Sequence, residues 1–263
     1  LIICMGKPVE TDAQLAEAQK AGIPVITAGA GAASHTLFDV EVNEFEDGSV
    51  AAAYLLGKID YRGNILEERF EQNVATRERD KVLDAMLSEN QAVKVVGVHT
   101  MARTKTWQQD VRAGMQALIV HNKGNIQGIW GSFDGQAYII DDILKAQDAV
   151  FEGLQAGLEM ARPGNTCGQV AEAFFAVLRK YGIEKDNRTG YPVGVSYPPD
   201  WGERTMSLRP GDPSILEENM TFHFMPAIWT DEWGYESSET IRIRSGAAAE
   251  CLSDVARELT VKR

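Results

Sequence analysis

The chain has 263 residues, with 26 basic and 38 acidic side chains and a formal net charge of −12. That balance offers no net positive field to draw in a nucleic acid, and such a partner is excluded; no apolar run approaches the roughly 20 residues that span a bilayer. Hydrophobic content of 44% and charged content of 24% suit a packed globule, long enough for one large domain or two small ones.

Leu1-Ile2-Ile3-Cys4-Met5-Gly6 has no basic stretch before it and soon turns polar. It reads as a strand entered mid-fold, not as a signal peptide, and sequence upstream of it is expected. The default compartment is therefore cytoplasmic, or periplasmic if an export signal precedes Leu1. Thr11 to Ala21 predicts a helix with Thr11 or Asp12 as N-cap and Gly22 as stop. Ile23 to Thr27 is a strand, Gly29 to Ser34 a loop of small residues, Val40 to Val42 a short strand and Glu46 to Leu56 a helix. Gly63-Asn64-Ile65-Leu66 starts another strand, Arg77 to Glu89 is a helix, and Val93 to Val98 a strand. Gln108 to His121 is a helix with Val111, Met115, Leu118 and Ile119 on one side, followed by a strand over Ile126 to Gly131. Strands alternating with helices in this way predict βαβ units and a parallel sheet.

From about Ala149 the pattern changes. A long helix ends at Arg162-Pro163-Gly164, and a second runs from about Cys167 to Tyr181 with Val170, Phe174, Val177 and Leu178 as its apolar stripe. A turn-rich stretch, Gly190 to Pro213, precedes two strands, Met220 to Trp229 and Tyr235 to Arg244, joined by Asp231-Glu232-Trp233-Gly234 as an antiparallel hairpin. Helices first and a hairpin later are an α+β pattern. No linker separates the halves: Ile140, Ile143, Leu144, Gln147, Phe151, Leu154 and Leu158 recur at steps of three or four, and helical periodicity runs through the boundary expected near Gln147-Asp148. The three cysteines, Cys4, Cys167 and Cys251, are odd in number and far apart, and offer neither a disulfide framework nor a metal spacing.

Ala21-Gly22-Ile23-Pro24-Val25, Arg77-Glu78-Arg79 opening a helix, and Ile129-Trp130-Gly131-Ser132-Phe133-Asp134-Gly135-Gln136-Ala137 resemble the sugar-binding proteins of bacterial ABC uptake transporters. The resemblance covers residues 1–147 and implies part of a periplasmic-binding-protein-like α/β fold, mostly its second lobe. A sugar needs side chains with two hydrogen-bonding edges and an aromatic plate, and ligands of open α/β sheets sit at the carboxyl ends of the strands. The resemblance puts Arg77 and Asp134 at that edge, with Trp107 as the plate and Asn43 as a weaker candidate. Read locally, Arg77 is also a solvated helix residue, Asp134 a helix N-cap and Trp107 a core aromatic. Two complete lobes normally close on the ligand; here the opening strands of the first and the closing segment of the second are not expected.

Pro163-Gly164-Asn165-Thr166, the run from Arg188 through Ser196-Tyr197-Pro198-Pro199-Asp200-Trp201-Gly202-Glu203-Arg204, Thr221-Phe222-His223-Phe224-Met225-Pro226 and Glu239-Thr240-Ile241-Arg242-Ile243 resemble the ectoine hydrolases of the creatinase/prolidase superfamily. The resemblance covers residues 148–263 and implies part of the α+β pita-bread fold. Metallopeptidases of this fold use two Asp, one His and two Glu as ligands. Where their His stands, this chain has Gly190-Tyr191-Pro192-Val193-Gly194; Met225 replaces the Glu before Pro226; and the second Glu falls at Ser238 or Glu239. No metal and no other cofactor is expected. The resemblance leaves metal-free opening of a C–N bond in a cyclic amidine such as ectoine, with Glu239 gripping the amidinium, His223 as base, Arg204 or Arg209 holding the substrate acid, and Tyr191 and Trp201 facing the cation. The local alternatives are an inner-face histidine for His223 and a cross-strand ion pair with Arg242 or Arg244 for Glu239.

Three readings follow: a chimeric chain joining a sugar-binding ABC-transporter-type domain to an ectoine-hydrolase-like domain, impaired in both; a metal-independent C–N hydrolase; or a non-functional join of two gene fragments. The expected partner is a small molecule, a sugar or an ectoine-like compatible solute. A homodimer is one way to cover the strand edges that partial sheets leave open.

Overall fold

The computed structural model describes residues 1–4, 7–102, 104–122, 124–194, 205–231 and 233–253. The chain divides into two compact units, Leu1–Asp141 and, from Asp142 on, the remainder of its described residues.

The first unit opens with β1 (Ile2–Cys4), a 3-10 turn over Pro8–Thr11, α1 (Asp12–Lys20), β2 (Ile26–Ala28) and β3 (Asp39–Val40). These three strands form a parallel sheet in the order β1-β2-β3. Then follow α2 (Glu44–Lys58), β4 (Gly63–Arg69), α3 (Val74–Glu89), β5 (Val93–Thr100), α4 (Trp107–His121), β6 (Gly128–Gly131) and α5 (Asp134–Met160), within which the two units divide. A second parallel sheet has the order β5-β4-β6. Its central strand is buried on both faces: Ile65 and Leu66 are fully covered, with Leu56, Ala52 and Leu83 from α2 and α3 on one side and Val111 and Met115 of α4 also buried. Each of these leucine, isoleucine, valine and methionine side chains contributes about 1.5–3 kcal/mol by leaving water. The expected βαβ alternation is present. The central strand continues past Leu66 to Arg69, though, and carries Glu67 and Glu68 into the interior.

The second unit contains α6 (Cys167–Lys180), β7 (Gly190–Pro192), β8 (Thr221–Phe224), β9 (Ala227–Trp229), β10 (Gly234–Glu236), β11 (Glu239–Arg242) and β12 (Glu250–Cys251). Thr166 opens α6 with a reciprocal cap: its Oγ1 accepts from Gln169 N at 3.2 Å, and its own N donates to Gln169 Oε1 at 2.8 Å. The α6 stripe read from the sequence is buried, Phe174, Val170 and Leu178 completely. It contributes to an apolar interior in which Leu154, Leu208, Phe222, Phe224 and Ile241 form one cluster with Val170.

An antiparallel sheet runs β12-β11-β8-β7, and β9 and β10 form a separate ladder. The hairpin expected over Met220–Trp229 and Tyr235–Arg244 is thus two ladders in series. Pro226 has no N–H to give a ladder, and the Met225 N–H before it turns to Thr189 O at 2.7 Å. The stretch Gly190–Pro213 is not all turn, because its first three residues form β7. Glycine is required there: a Cβ on Gly190 would meet Leu208 Cδ1 at 2.6 Å and the carbonyl oxygen of His223 at 2.7 Å. Among the described residues, no sheet combines strands from the two units.

Candidate functional site

In the first unit the carboxyl ends of β4, β5 and β6 lie side by side, and the chain leaves each into the start of a helix. Three aromatic rings gather there. Phe70 follows β4, Phe133 follows β6, and Trp107 begins α4; Phe133 lies 6.5 Å from Phe70 edge-on and 5.5 Å from Trp107 at a tilt of 53°. Gly135 makes room, since a Cβ on it would touch the Phe133 ring at 2.7 Å and Trp107 at 3.1 Å. Trp107 and Phe133 are half-buried and form an aromatic ledge, with the Trp107 indole N–H as its polar group. Of the other residues expected here, Asp134 is exposed at the first position of α5 and its Oδ1 accepts from Gly135 N at 2.9 Å. Arg77 lies one turn inside α3 and donates to the carbonyl of Glu71 at 2.7 Å. The N-cap of α3 is Asn73. Asn43 caps α2, accepting from Glu46 N at 3.3 Å.

Beneath the ledge is a polar layer that sequence reasoning did not find. Glu68 of β4 is fully buried; its Oε2 lies 2.7 Å from His99 Nδ1, and its Oε1 accepts from Gln136 Nε2 at 3.3 Å. His99 packs against α4 where Gly114 has no side chain; a Cβ there would stand 2.2 Å from the ring. Burial pushes the Glu68 carboxyl up to about 8, and the charge of Asp110 adds to the shift. On the other side, Asp80 of α3 accepts from Trp130 Nε1 at 2.8 Å and Ser132 Oγ at 2.7 Å, and its burial also raises it above the ordinary carboxylate range. Arg79, not Arg77, is the clamped arginine: its Nε donates to Glu44 at 2.6 Å and its Nη1 to the carbonyl of Ser132 at 3.1 Å. The one available hint was Glu67-Glu68 directly after an apolar strand start.

In the second unit, register decides which side chains can meet. Residues directly opposite in an antiparallel pair point to the same face. Thr240 and Tyr191 stand opposite His223, whereas Phe224 stands opposite Glu239. His223 and Tyr191 therefore share one face, and Glu239 lies on the other, with Phe222, Phe224 and Ile241. His223 is accordingly not on the inner face with its two phenylalanine neighbours. Its Nδ1 lies 2.8 Å from the Tyr191 hydroxyl, the two rings meet edge-on at 5.1 Å, and the Arg188 guanidinium stacks on Tyr191 at 4.7 Å. Burial holds the imidazole below its ordinary value, against an opposing pull from Glu236, so the neutral base form is favoured. Glu239 is buried, and the structure does not bring it to His223. Arg209 is exposed and donates Nε to Ser207 Oγ at 3.2 Å. Trp201 and Arg204, with the whole Ser196–Arg204 run, lie outside the described residues.

Residues 129–245 match metallopeptidase family M24. Over 122 residues the chain is 51% identical to the ectoine hydrolase of Halomonas elongata, a match covering 46% of this chain and 30% of that protein. The chain thus spans about a third of that curated relative's length. Two solved structures share its fold. One is an ABC sugar transporter subunit from Rhodobacter sphaeroides, with 17% identity, 69% of each chain covered and a TM-score of 0.51. The other is an ABC transporter solute binding protein from Agrobacterium vitis with bound allitol, with 22% identity, 69% and 67% of the two chains covered and a TM-score of 0.51. Both resemblances drawn from the sequence are therefore present, and the mixed α/β fold class with them: the chain carries an M24-hydrolase-like region and is similar in fold to sugar-binding proteins.

Membership of M24 would imply a metal centre of hard oxygen ligands and imidazole. Among the described residues, no three His, Cys, Asp or Glu side chains gather in a group able to hold one. The donor set argues the same way. His223 and Glu239 face apart, and the positions beside them carry Tyr191 and the thioether of Met225. These residues do not fit such a centre. Among the described residues, no helix is long and apolar enough to cross a membrane.

Proposed function

We propose that the chain is a composite of a sugar-binding-protein-like segment, up to about residue 147, and an ectoine-hydrolase-like segment from about 148. Its remaining activity is weak, one-sided recognition of a small polyhydroxylated solute at the ledge of Trp107 and Phe133. The observation that carries this reading is the convergence of that aromatic plate with the carboxyl ends of three parallel strands, the position where open α/β sheets receive ligands. A ledge covers one face of a sugar ring and leaves the other in water, and the enclosure that gives small-ligand affinity is lost. Calorimetric titration of the whole chain with a panel of pentoses, hexoses and hexitols tests it. The expected result is a dissociation constant of the order of 1 mM, about −4 kcal/mol, with the heat abolished by Trp107→Ala. Silence across the panel, or heat indifferent to Trp107, would overturn the reading.

A second reading, metal-free hydrolysis of a C–N bond in a cyclic amidine, is favoured by one observation: the half-buried His223 imidazole is kept neutral beside the Tyr191 hydroxyl. It needs an amidinium grip on the His223 face, and Glu239 faces the other way. Of the described carboxylates, Glu236 is the one whose charge reaches His223.

A further inference from the structure

The second unit holds a cavity of about 550 Å³ between α6, the stretch from Lys185 to Arg188 and Arg209-Pro210, a size that suits a small organic molecule. Four cations line it, Arg179, Lys185, Arg188 and Arg209, against two carboxylates, Glu172 and Asp186. A positive hollow in a chain of net charge −12 runs against the general field of the molecule. Two of the cations are already engaged: Arg179 pairs with Glu172, and Lys185 bonds to Asn187 Oδ1 with Asp186 beside it. The other two make no ion pair among the described residues. Arg188 is stacked on Tyr191, which holds the plane of the guanidinium and leaves its N–H edge without an ion pair among the described residues. Among the described residues, Arg209 gives a side-chain hydrogen bond from Nε alone, to Ser207 Oγ, and its charge also acts on Asp212. The nearby carboxylate of Asp212 is already taken by the backbone N–H groups of Ser207 and Ser214, at 2.8 and 2.9 Å. The buried ring of Phe175 supplies an apolar wall.

We infer that this cavity is a binding site for a small organic anion whose oxyanion head, carboxylate or phosphate, is gripped by Arg188 and Arg209. Guanidinium forks match both heads through paired N–H···O bonds. The inference does not depend on the proposed solute ledge, which lies in the other unit. Nor does it need Arg209 to serve hydrolysis.

The test is isothermal titration of the full chain with succinate and with inorganic phosphate at constant ionic strength, with neutral succinamide as control. Heat with either anion and none with succinamide is expected, and the responding anion identifies the head group. Arg188→Gln and Arg209→Gln alter exposed positions and should leave the unfolding transition unchanged. Each should weaken binding about tenfold, as expected for losing one charge-assisted contact. Absence of heat with both anions, or affinity unchanged in the double variant, would overturn the inference.

Discussion

Replacing Glu68 by glutamine should flatten the pH dependence of stability. The Glu68 carboxyl ordinarily titrates at 4.5, and burial carries it to about 8 in the folded chain. Between those values the folded state keeps a proton that the unfolded state has lost, so stability falls as pH rises. The contribution is whole below 4.5 and gone above about 8. At 1.36 kcal/mol per pH unit the interval sets a ceiling of about 5 kcal/mol. His99 Nδ1, 2.7 Å away, keeps a strong hydrogen bond to the carboxylate form as well. Such a bond returns about 1.5–3 kcal/mol, leaving a fall of roughly 2–3 kcal/mol between pH 5 and 8.5. A carboxamide has the size of the protonated acid, one oxygen to accept from Gln136 and one N–H to offer His99, and it does not titrate in this range. Urea unfolding followed by circular dichroism across that pH range measures the effect. With a slope of about 1–3 kcal/mol/M, the native midpoint should drop by roughly 0.7–3 M while that of Glu68→Gln stays level. Parallel profiles for the two proteins would refute the reasoning.

Three further perturbations probe the packing. Gly157→Ala gains about 1 kcal/mol of helix propensity, but its Cβ would stand 2.3 Å from Cζ of the fully buried Phe224; overpacking of about 1–3 kcal/mol should win, and urea midpoints should fall unless Phe224→Leu is added. Trp130→Phe leaves buried Asp80 with Ser132 as its remaining side-chain donor and should cost about 1–3 kcal/mol in the same assay. Thr166→Ala removes the reciprocal cap of α6 and should cost about 1 kcal/mol, with earlier exchange of the amides in its first turn.

Much of the fold was legible because it rests on local chemistry. The α6 stripe of Val170, Phe174, Val177 and Leu178 follows helical spacing, and Thr166 with Gln169 is a cap written into four residues. The alternation of strands and helices before Ala149 likewise gives parallel pairing, whereas the order β5-β4-β6 and the separate β1-β2-β3 sheet needed the fold. What escaped depends on partners distant in the chain. Glu67 and Glu68 make a poor strand sequence until Arg69, His99 and Gln136, up to 68 positions away, are brought to them. Arg77 and Arg79 are indistinguishable in sequence, yet Arg79 is the one that Glu44 reaches. Strand periodicity separates odd from even positions within β8 and within β11, but only the pairing of Thr240 with His223 reveals that Glu239 faces the other way. The ledge residue Trp107 was found from resemblance, while its neighbours Phe133 and Phe70 required the fold.

The division of His223 and Glu239 between two faces of one sheet bears most heavily on the composite reading, and incubation with ectoine tests it. Mass spectrometry of the reaction should show no ring-opened acetyl-diaminobutyrate above a protein-free control. Turnover that disappears in both His223→Asn and Glu239→Gln, with both variants still folded, would contradict the account, because the two side chains would then be acting on one substrate.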